Sequence, residues 1–243
     1  MEKTSSDQAG ALTLSILEEA PAYHRWILDR ISPFLGKRTL EIGCGIGNLT
    51  GLLLEHGKVI AADVNEDYLR KVAGEYRDHV NFEGTLLWDI RQTPPESLKG
   101  AIDTILCSNV LEHVEDDESV LRRFSQLLPV NGRLIVLVPA LKVLYNAFDR
   151  ELGHFQRYGK EELRQKLTRN GFWIRSLEYF NLFGILGWFI NGSLLRRRIL
   201  PAGQVRLFDR IVPILSRAEK MIPSLAGQSL IGVGIRDERG GFD

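Results

Sequence analysis

Alternating glycines directly after an apolar segment constrain the fold of this chain more than any other feature of its sequence. The segment reads Thr39-Leu-Glu-Ile-Gly-Cys-Gly-Ile-Gly-Asn48, and a helical pattern opens at Gly47 and continues to His56. Glycine has no Cβ, so the chain can turn tightly at these positions and its backbone can lie against a ligand. A strand, a glycine loop and a helix in this order predict a nucleotide-binding turn.

A second predicted strand, Lys58-Val-Ile-Ala-Ala-Asp63, ends in an acid about 20 residues after the glycine loop. At this spacing an acidic side chain accepts hydrogen bonds from the hydroxyls of a ribose. The loop itself follows Glu41-x-Gly43-x-Gly45-x-Gly47, whereas a dinucleotide loop follows Gly-x-Gly-x-x-Gly. The spacing therefore argues against a dinucleotide as the ligand.

An acid followed by alternating glycines resembles the first motif of the class I S-adenosylmethionine-dependent methyltransferases. The resemblance implies S-adenosyl-L-methionine as the cofactor and S-adenosyl-L-homocysteine as its product. The step Leu111-Glu-His113 after the fourth predicted strand also looks like this family, which often has it. The resemblance covers roughly Ala22 to Phe180 and the last strand, and it says almost nothing about the methyl acceptor.

Alternating β and α segments predict an α/β fold with right-handed crossovers. The run Ala101–Asn109 is almost continuously apolar, which is typical of a strand covered on both faces. The expected architecture is a doubly wound, mostly parallel seven-stranded sheet of the Rossmann-like type, and the resemblance implies that its last strand is antiparallel. The remaining predicted strands are Val80–Leu87, Arg133–Pro139, Phe172–Phe180 and Gln228–Arg236.

Four segments of the chain have different predicted roles. An N-terminal helical cap covers 1–36, and its polar start, Met1 to Gly10, is expected to be frayed. The α/β domain that binds the cofactor follows over 37–180. A helical insertion or lid occupies 181–227, and 228–243 hold the last strand of the sheet and a tail.

The predicted cap contains two helices, Ala11–Ala20 and Ala22–Phe34, with Pro21 between them at a position that suits a first helical turn. Aromatic and apolar residues recur at helical spacing in the second helix, among them Tyr23 and Trp26. Such a stripe normally packs on the domain. The alternative is a lid over the ligand, in which Tyr23 and Trp26 face the site and bind the substrate.

The resemblance also implies which residues contact the cofactor. In this family an acid after the third strand bonds the adenine amino group, a role that falls to Asp89, with Trp88 or Ile90 against the adenine ring. The alternative for Asp89 is that it starts the Arg91–Gly100 loop. The complete expected set is Glu41, Gly43, Gly45, Gly47, Asp63, Val64, Trp88, Asp89, Ile90 and Asn109.

Two histidines are the predicted catalytic residues. His113 follows the fourth strand, and His154 lies in a polar-aromatic loop after the fifth, so both belong to the edge of the sheet where ligands bind. Histidine is the usual general base at neutral pH. Arg157 and Tyr158 of the same loop are candidates for orienting an anionic or hydroxylated acceptor. The alternative is structural: a hydrogen bond for each histidine, and anchoring of the loop for Arg157 and Tyr158.

Charge and composition disfavour several classes of ligand. Lysine and arginine number 31, as do aspartate and glutamate, so no general attraction to nucleic acid is expected. The only cysteines, Cys44 and Cys107, fall on or beside predicted buried strands, which suits a reduced cytosolic protein. We expect no metal site, because no single element carries histidine and acid at ligand spacing. The sequence has no run of about 18 apolar residues that would predict a membrane span.

The predicted insertion, Asn181 to Gly227, separates two closing strands that a short hairpin usually joins in the family. Its seven basic residues, three of them consecutive at Arg196 to Arg198, outnumber Asp209 and Glu219. The insertion either packs over the sheet edge and forms the acceptor pocket, or touches an anionic lipid surface or a lipid-linked sugar. We expect a cytoplasmic protein whose insertion packs over the sheet. In the alternative, 181–210 is the segment that contacts the inner membrane face.

The sequence predicts an S-adenosylmethionine-dependent methyltransferase that acts on a small-molecule, lipid-linked or glycan-linked acceptor. Oxygen is favoured as the methylated atom because the histidines offer a general base. One alternative is a non-catalytic S-adenosylmethionine-binding module that keeps the fold. The other is a nicotinamide-dependent reductase, but its glycine spacing is absent and no Tyr-x-x-x-Lys pair follows strand four or five.

Overall fold

A single seven-stranded sheet forms the centre of the molecule in a computed structural model that describes residues 5–222 and 225–238. The strands lie in the order β3-β2-β1-β4-β5-β7-β6, and β7 runs antiparallel to both of its neighbours. This arrangement confirms the predicted doubly wound, mostly parallel sheet. The strands are β1 Arg38–Ile42, β2 Lys58–Asp63, β3 Phe82–Leu87, β4 Thr104–Ser108, β5 Arg133–Pro139, β6 Phe172–Phe180 and β7 Ser229–Arg236.

Helices cover both faces of the sheet, and within the described residues they are nine α-helices with several short 3₁₀ turns. Residues 5–10, which the sequence predicted to be frayed, belong to the first helix, whereas 1–4 lie outside the described residues. The α-helices are α1 Ser5–Glu18, α2 Pro21–Ile31, α3 Thr50–Leu53, α4 Glu66–Tyr76, α5 Asp117–Leu127, α6 Ala147–Leu152, α7 Lys160–Arg169, α8 Gly184–Trp188 and α9 Ala202–Met221.

Strand β5 shows why the sheet is buried on both faces. Leu134 and Val136 pack into a core with α5 and α7, whereas Ile135 and Leu137 pack on the other face with α2 and α9. All four side chains are fully buried. Because successive side chains of a strand point to opposite faces, a continuous apolar run is what a doubly covered strand requires.

The order of the strands creates a crevice at one edge of the sheet. The chain proceeds from β1 outward through β2 to β3, then returns to β4 on the other side of β1. The loops after β1 and β4 therefore leave the sheet in opposite directions and open a space above the carboxyl ends of these strands. That point is where a ligand binds in open α/β sheets.

The insertion between β6 and β7 is helical, as predicted. It begins with α8, which continues into a π-helical turn at Phe189–Leu194, and its longest element is the 20-residue helix α9. Residues 223 and 224 of this segment lie outside the described residues. None of the helices in the described part of the chain combines the length and apolar character needed to span a bilayer.

Two buried or half-buried acids attach α9 to distant parts of the chain. Glu219 accepts hydrogen bonds from the backbone N–H groups of Asn181 and Leu182 at 3.0 and 2.7 Å. Asp209 accepts from the N–H groups of Ala22 and Tyr23 at 3.3 and 2.8 Å. No side chain forms an N-terminal cap of α2 from within its own sequence. The carboxylate of Asp209 therefore takes this role: it accepts from the first N–H groups of α2 and complements the dipole of α2.

Candidate active site

A cavity of about 560 Å³ lies over the carboxyl edge of the sheet, between the strand ends and a roof of helices. The roof comes from α1, α2 and the insertion, and much of it is apolar. Residues of the strand ends and their loops that line the cavity include Glu41, Gly43, Gly45, Asp63, Val64, Trp88, Ile90, Asn109, His113, His154 and Arg157, all of which the sequence predicted. It did not predict Glu112, nor the neighbouring lining residues Ile42, Cys44, Ser108, Val110 and Pro139.

The glycine loop after β1 has the left-handed backbone that its sequence permits. Gly43 and Gly45 have φ angles of 70° and 53°. A Cβ on Gly43 would lie 2.3 Å from a methyl group of Val110, and one on Gly45 would lie 3.1 Å from Leu14 of α1. Neither position accepts a side chain without strain, so the loop needs glycine for its own shape as well as for close approach of a ligand.

Two carboxylates flank this loop, and neither is neutralised by a lysine or arginine among the lining residues beside it. Glu41 is 2% exposed and accepts a hydrogen bond from Thr50 Oγ1 at 2.6 Å. Burial raises the pKa of Glu41 to about 8, and the charge of Asp63 adds to the rise. Burial also raises the pKa of Asp63, although N–H groups of Gly45 and Asn65 bond its two oxygens at 2.9 Å.

This electrostatic arrangement fits a cationic ligand better than an anionic one. A sulfonium or ammonium group near Glu41 and Asp63 would favour their ionised forms. The pyrophosphate of a dinucleotide needs instead the N-terminus of a helix after the glycine loop. Here α3 has four residues, in place of the helix predicted from Gly47 to His56, so its dipole is weak. The residues present therefore fit S-adenosyl-L-methionine.

The residues after β3 divide between the cavity and the surface. Trp88 and Ile90 are buried and line the cavity, in positions that suit the flanks of an adenine ring. Asp89 does not line it, because its carboxylate turns to the guanidinium of Arg91 at 2.7 Å. Hydrogen bonds from Arg91 lower the pKa of Asp89. This geometry does not support the expected bond to the adenine amino group, and Asp89 instead fixes the start of its own loop.

Three titratable side chains meet at the β4 end of the cavity. Potential ligand atoms of Glu112, His113 and His154 all lie within 4.8 Å of one another. The rings of His113 and His154 are edge to face, with centroids 4.7 Å apart. Residues from separate loops form this cluster, so an inspection of single elements for ligand spacing could not detect it.

The environment of the cluster gives its members different proton affinities. Glu112 is fully buried, which raises its pKa to about 7 against the opposing effects of His154 and Arg157. Desolvation within the cavity wall, together with His154, lowers the pKa of His113 to about 4, although its ring keeps an exposed face on the cavity. His113 is therefore neutral near pH 7.

A buried carboxylate orients His154. Asp149 Oδ1 lies 2.9 Å from Nδ1 of His154 and also accepts from Nε of Arg157 at 2.8 Å. Burial opposes its charge, but the hydrogen bond from His154 and the charge of Arg157 lower the pKa of Asp149. An ionised Asp149 places the imidazole proton on Nδ1 and leaves the lone pair of Nε2 free.

The helix α6 fixes Asp149 in this position. The side chain of Asn146 accepts from the N–H of Phe148, and Asp149 Oδ2 accepts from the N–H of Asn146 at 3.0 Å. The helix ends at Gly153, whose φ of 76° is the usual left-handed C-terminal stop. Residues 149–152 were predicted to belong to a polar-aromatic loop, but they are part of α6. The signals of this short helix were the pair Asn146 and Asp149 at its start and Gly153 at its end.

Besides Asp89, three of the predicted site residues lie outside the cavity lining: Trp26, Tyr158 and Gly47. Trp26 is 2% exposed and packs on Phe180 with ring centroids 4.6 Å apart, so the aromatic stripe of α2 fills the core. The hydroxyl of Tyr158 donates to Asp117 at 2.7 Å on the far side of its loop. These contacts replace the substrate roles expected for Trp26 and Tyr158. Gly47 forms the turn below the loop, whereas Tyr23 does line the cavity.

A seven-stranded sheet of this order, with a glycine loop after β1 and an acid at the end of β2, defines a class I, Rossmann-like methyltransferase fold. A family model described as a methyltransferase domain matches residues 40–134. A solved S-adenosylmethionine-dependent methyltransferase from Mesorhizobium loti has the same fold, with a TM-score of 0.59 at 18% identity over 87% of this chain and 98% of that one.

Relatives in sequence carry methyltransferase names. An uncharacterized methyltransferase of Geobacillus kaustophilus is 30% identical over 164 residues, which are 66% of this chain and 69% of that protein. A ubiquinone biosynthesis O-methyltransferase of Aeromonas salmonicida is 33% identical over 115 residues, 46% of this chain and 47% of that protein. The match thus spans about half the length of such relatives. The chain belongs to the S-adenosylmethionine-dependent methyltransferase family.

The raised pKa of Glu41 predicts a pH dependence of stability in the ligand-free protein. Between about pH 5 and pH 8 the folded protein keeps a proton on Glu41 that the unfolded chain releases, so the free energy of unfolding should fall as the pH rises through this range. Glu41→Gln removes this titration and should give a flatter profile in urea denaturation. Glu66→Gln, at an exposed position in α4, is the control; equal slopes for wild type and Glu41→Gln would contradict the assignment.

Proposed function

We propose that the protein transfers the methyl group of S-adenosyl-L-methionine to a hydroxyl oxygen of a small or lipid- or glycan-linked acceptor. The observation that supports this most is that one cavity joins the acidic glycine loop to the cluster of Glu112, His113 and His154. The first part suits a cationic methyl donor. The second offers groups that can bind and deprotonate a hydroxyl.

The binding of the donor is assigned to the glycine loop and its two acids. When bound, S-adenosyl-L-methionine supplies an electrophilic methyl group on a sulfonium. Asp63 has lone pairs beyond those used by Gly45 and Asn65, and these can accept from ribose hydroxyls. Glu41, protonated in the ligand-free protein, would contribute a negative charge beside the loop once the cationic donor favours its ionised form, while Trp88 and Ile90 provide apolar surface for the adenine.

The acceptor is assigned to the β4 end of the cavity. Holding an oxygen nucleophile on the axis of displacement contributes on the order of 7–11 kcal/mol in the best intramolecular cases. His154 is the group whose geometry best suits removal of the hydroxyl proton, because Asp149 fixes its Nδ1 and leaves Nε2 free. The apolar roof, with Phe183, Trp188 and Phe208, suits an acceptor whose body is hydrophobic.

Similarity to proteins named O-methyltransferases supports oxygen as the methylated atom. The acidic surroundings of the glycine loop disfavour a nicotinamide-dependent reductase. A non-catalytic module would still bind S-adenosyl-L-methionine but would not need the oriented pair of Asp149 and His154.

The decisive experiment is methyl transfer from labelled donor to a cell extract that is separated into lipid, polymer and small-molecule fractions. We expect label in the lipid or small-molecule fraction, at an oxygen that resists mild acid and base as a methyl ether does. Label in none of the fractions, with donor binding intact by calorimetry, would favour the non-catalytic module.

The donor assignment predicts that Asp63→Ala weakens the binding of S-adenosyl-L-methionine at least about tenfold, because hydrogen bonds to a charged group contribute roughly 1.5–3 kcal/mol. Calorimetric titration measures the effect. Asp67→Ala, at an exposed position in the first turn of α4, removes the same charge nearby and should leave the affinity unchanged. The assignment fails if the two folded variants bind the donor equally well.

The acceptor assignment predicts that His154→Asn lowers turnover by about 10²–10⁴, the range for loss of a general base, with little change in donor affinity. The measurement requires the acceptor found in the extract experiment. His56→Asn, at an exposed position away from the cavity, is the matched control and should retain turnover. Wild-type turnover in both His154→Asn and His113→Asn would show that catalysis relies on positioning alone.

A lipid-linked acceptor would bring the insertion to a membrane, and its surface has the composition for this. Leu207, Ile211 and Ile214 are exposed and share one face of α9, and Arg196 to Arg198 are exposed beside Leu194 and Leu195. Apolar side chains next to arginines suit the interface of an anionic bilayer. Within the alternative of an acceptor pocket, Arg197 and Arg198 would serve only their contacts with Asn191 and Glu151, and the apolar side chains would be solvated.

Each arginine near an anionic surface contributes about 1 kcal/mol, so changing Arg196, Arg197 and Arg198 to glutamine should weaken vesicle binding about a hundredfold. Co-sedimentation with anionic and neutral liposomes at low and moderate salt measures this. The control replaces Arg70, Lys71 and Arg77 by glutamine, which removes three exposed charges at α4. If the wild-type protein binds neither type of liposome, the insertion serves the acceptor pocket alone.

A further inference from the structure

The carboxylate of Glu112 is in an unusual state for a buried acid. The residue is 0% exposed, and neither of its oxygens receives a hydrogen bond from the described residues. Its own backbone N–H lies close enough to help lower the pKa of the carboxyl, but it forms no hydrogen bond with either oxygen. A buried charge without a partner is costly, and buried polar groups in proteins are nearly always satisfied. Glu112 faces the cavity, so the missing partner belongs there.

Both histidines beside Glu112 have one ring nitrogen occupied and one available. His154 uses Nδ1 for Asp149, and the ring of His113 interacts with the backbone carbonyl of Gly153. Metal-binding histidines have this same arrangement, in which one nitrogen bonds a carboxylate or carbonyl and the other binds the ion. Two histidines, each with one ring nitrogen engaged, and one buried carboxylate thus surround one point of the cavity wall.

We propose that Glu112, His113 and His154 bind a divalent transition-metal cation of the Zn²⁺ type. Imidazole nitrogens with one carboxylate select such ions over Mg²⁺ and Ca²⁺, which prefer oxygen ligands. Among the described residues, these three form the one group of histidines and acids close enough to hold an ion. They leave a fourth coordination position open, as catalytic zinc sites do.

The distances require a modest closure of the cluster around the ion. Ligand atoms at roughly 2.0–2.2 Å from a tetrahedral zinc lie about 3.3–3.6 Å apart, whereas here they lie within 4.8 Å of one another. A small rotation of the His113 ring about its contact with the Gly153 carbonyl supplies the difference, because that side chain is exposed on the cavity. Glu112 and His154 are fixed by burial and by Asp149, and they define where the ion sits.

The open position gives the site a role in the proposed function, on which this part of the inference rests. An ion bound there would coordinate the acceptor hydroxyl and lower the pKa of its proton, as zinc does for bound water. The proton would be released to solvent, the oxygen would take the methyl group from the sulfonium, and S-adenosyl-L-homocysteine would leave. His154 would then be a ligand instead of the proton acceptor, and Asp149 a positioning residue behind it. The charge of Glu112 would be satisfied by the ion.

The test measures ion binding to the tag-free full chain in the absence of donor and acceptor. After treatment with a chelator and its removal, calorimetry with Zn²⁺ should show one saturable site, and Co²⁺ should give the intense visible absorption of a tetrahedral complex. Glu112→Gln and His113→Ala should abolish this site. Asp149→Asn should weaken it by about 10–100-fold, the usual effect of losing a residue that supports a ligand.

His56→Ala is the matched control, since it removes an exposed histidine far from the cavity and should leave Zn²⁺ binding unchanged. His113→Ala protects the test against misfolding, because its ring is exposed and its loss leaves the core intact. Absence of saturable Zn²⁺ binding by the wild type, or equal binding by wild type and His113→Ala, would overturn the proposal.

Failure of this inference is distinguishable from failure of the proposed function. Methyl transfer that survives exhaustive chelation, together with the absence of a Zn²⁺ site, would remove the ion but leave the methyltransferase. A Zn²⁺ site that depends on Glu112 and His113 would stand even if no acceptor were methylated. With both correct, chelation should abolish methyl transfer and added Zn²⁺ should restore it.

Discussion

The carboxylate of Asp149 is the interaction on which the acceptor end of the cavity depends. One of its oxygens is shared by the imidazole of His154 and the guanidinium of Arg157, and the other bonds the N–H that starts α6. The single buried charge of Asp149 thereby fixes the start of α6, the tautomer of His154 and the position of Arg157. Because the group is fully buried, these hydrogen bonds are strong and the arrangement has little freedom to relax.

The cavity has two ends of different electrostatic character, and this division organises its chemistry. The glycine-loop end carries Glu41 and Asp63 without a neighbouring lysine or arginine among the lining residues, so it attracts positive charge. The other end balances Glu112 and Asp149 against Arg157 and two histidines. A positively charged donor and a hydroxylated acceptor would each find the environment that suits it, with the reacting atoms where the two ends meet.

The sequence predicted features that depend on local patterns. Strands β5 and β6 have the predicted bounds, because a turn signal stands at each start and the apolar pattern is continuous. Asn65 caps α4 by accepting from the N–H of Asp67, an interaction that the local sequence Asn-Glu-Asp indicates. The glycines and Asp63 come together because β1 and β2 are adjacent parallel strands, whose carboxyl ends lie side by side. The alternation of predicted strands and helices was enough to indicate this pairing.

The features that the sequence did not predict depend on contacts between distant segments. Glu112 begins an acid-rich stretch of the sequence, and the packing of the loop after β5 over it makes it buried. The N–H of Phe155 in that loop bonds the carbonyl of Glu112 at 2.8 Å. Trp26 belongs to an amphipathic stripe that fits either a core or a lid, and Phe180, over 150 residues later, decides for the core. Asp89 is an exception: its partner Arg91 is only two residues away, and the sequence left this alternative open without deciding for it.

The attachment of α9 to α2 through Asp209 gives the roof of the cavity a mechanical property. The roof is built from two parts of the chain that lie almost 190 residues apart, and the carboxylate joins them at the first turn of α2. Any movement that lifts α9 must expose the N–H groups of α2, so the two cannot open independently. The insertion could therefore be transplanted to a related sheet only together with the start of α2, because Asp209 and the N–H groups that it accepts from form one unit.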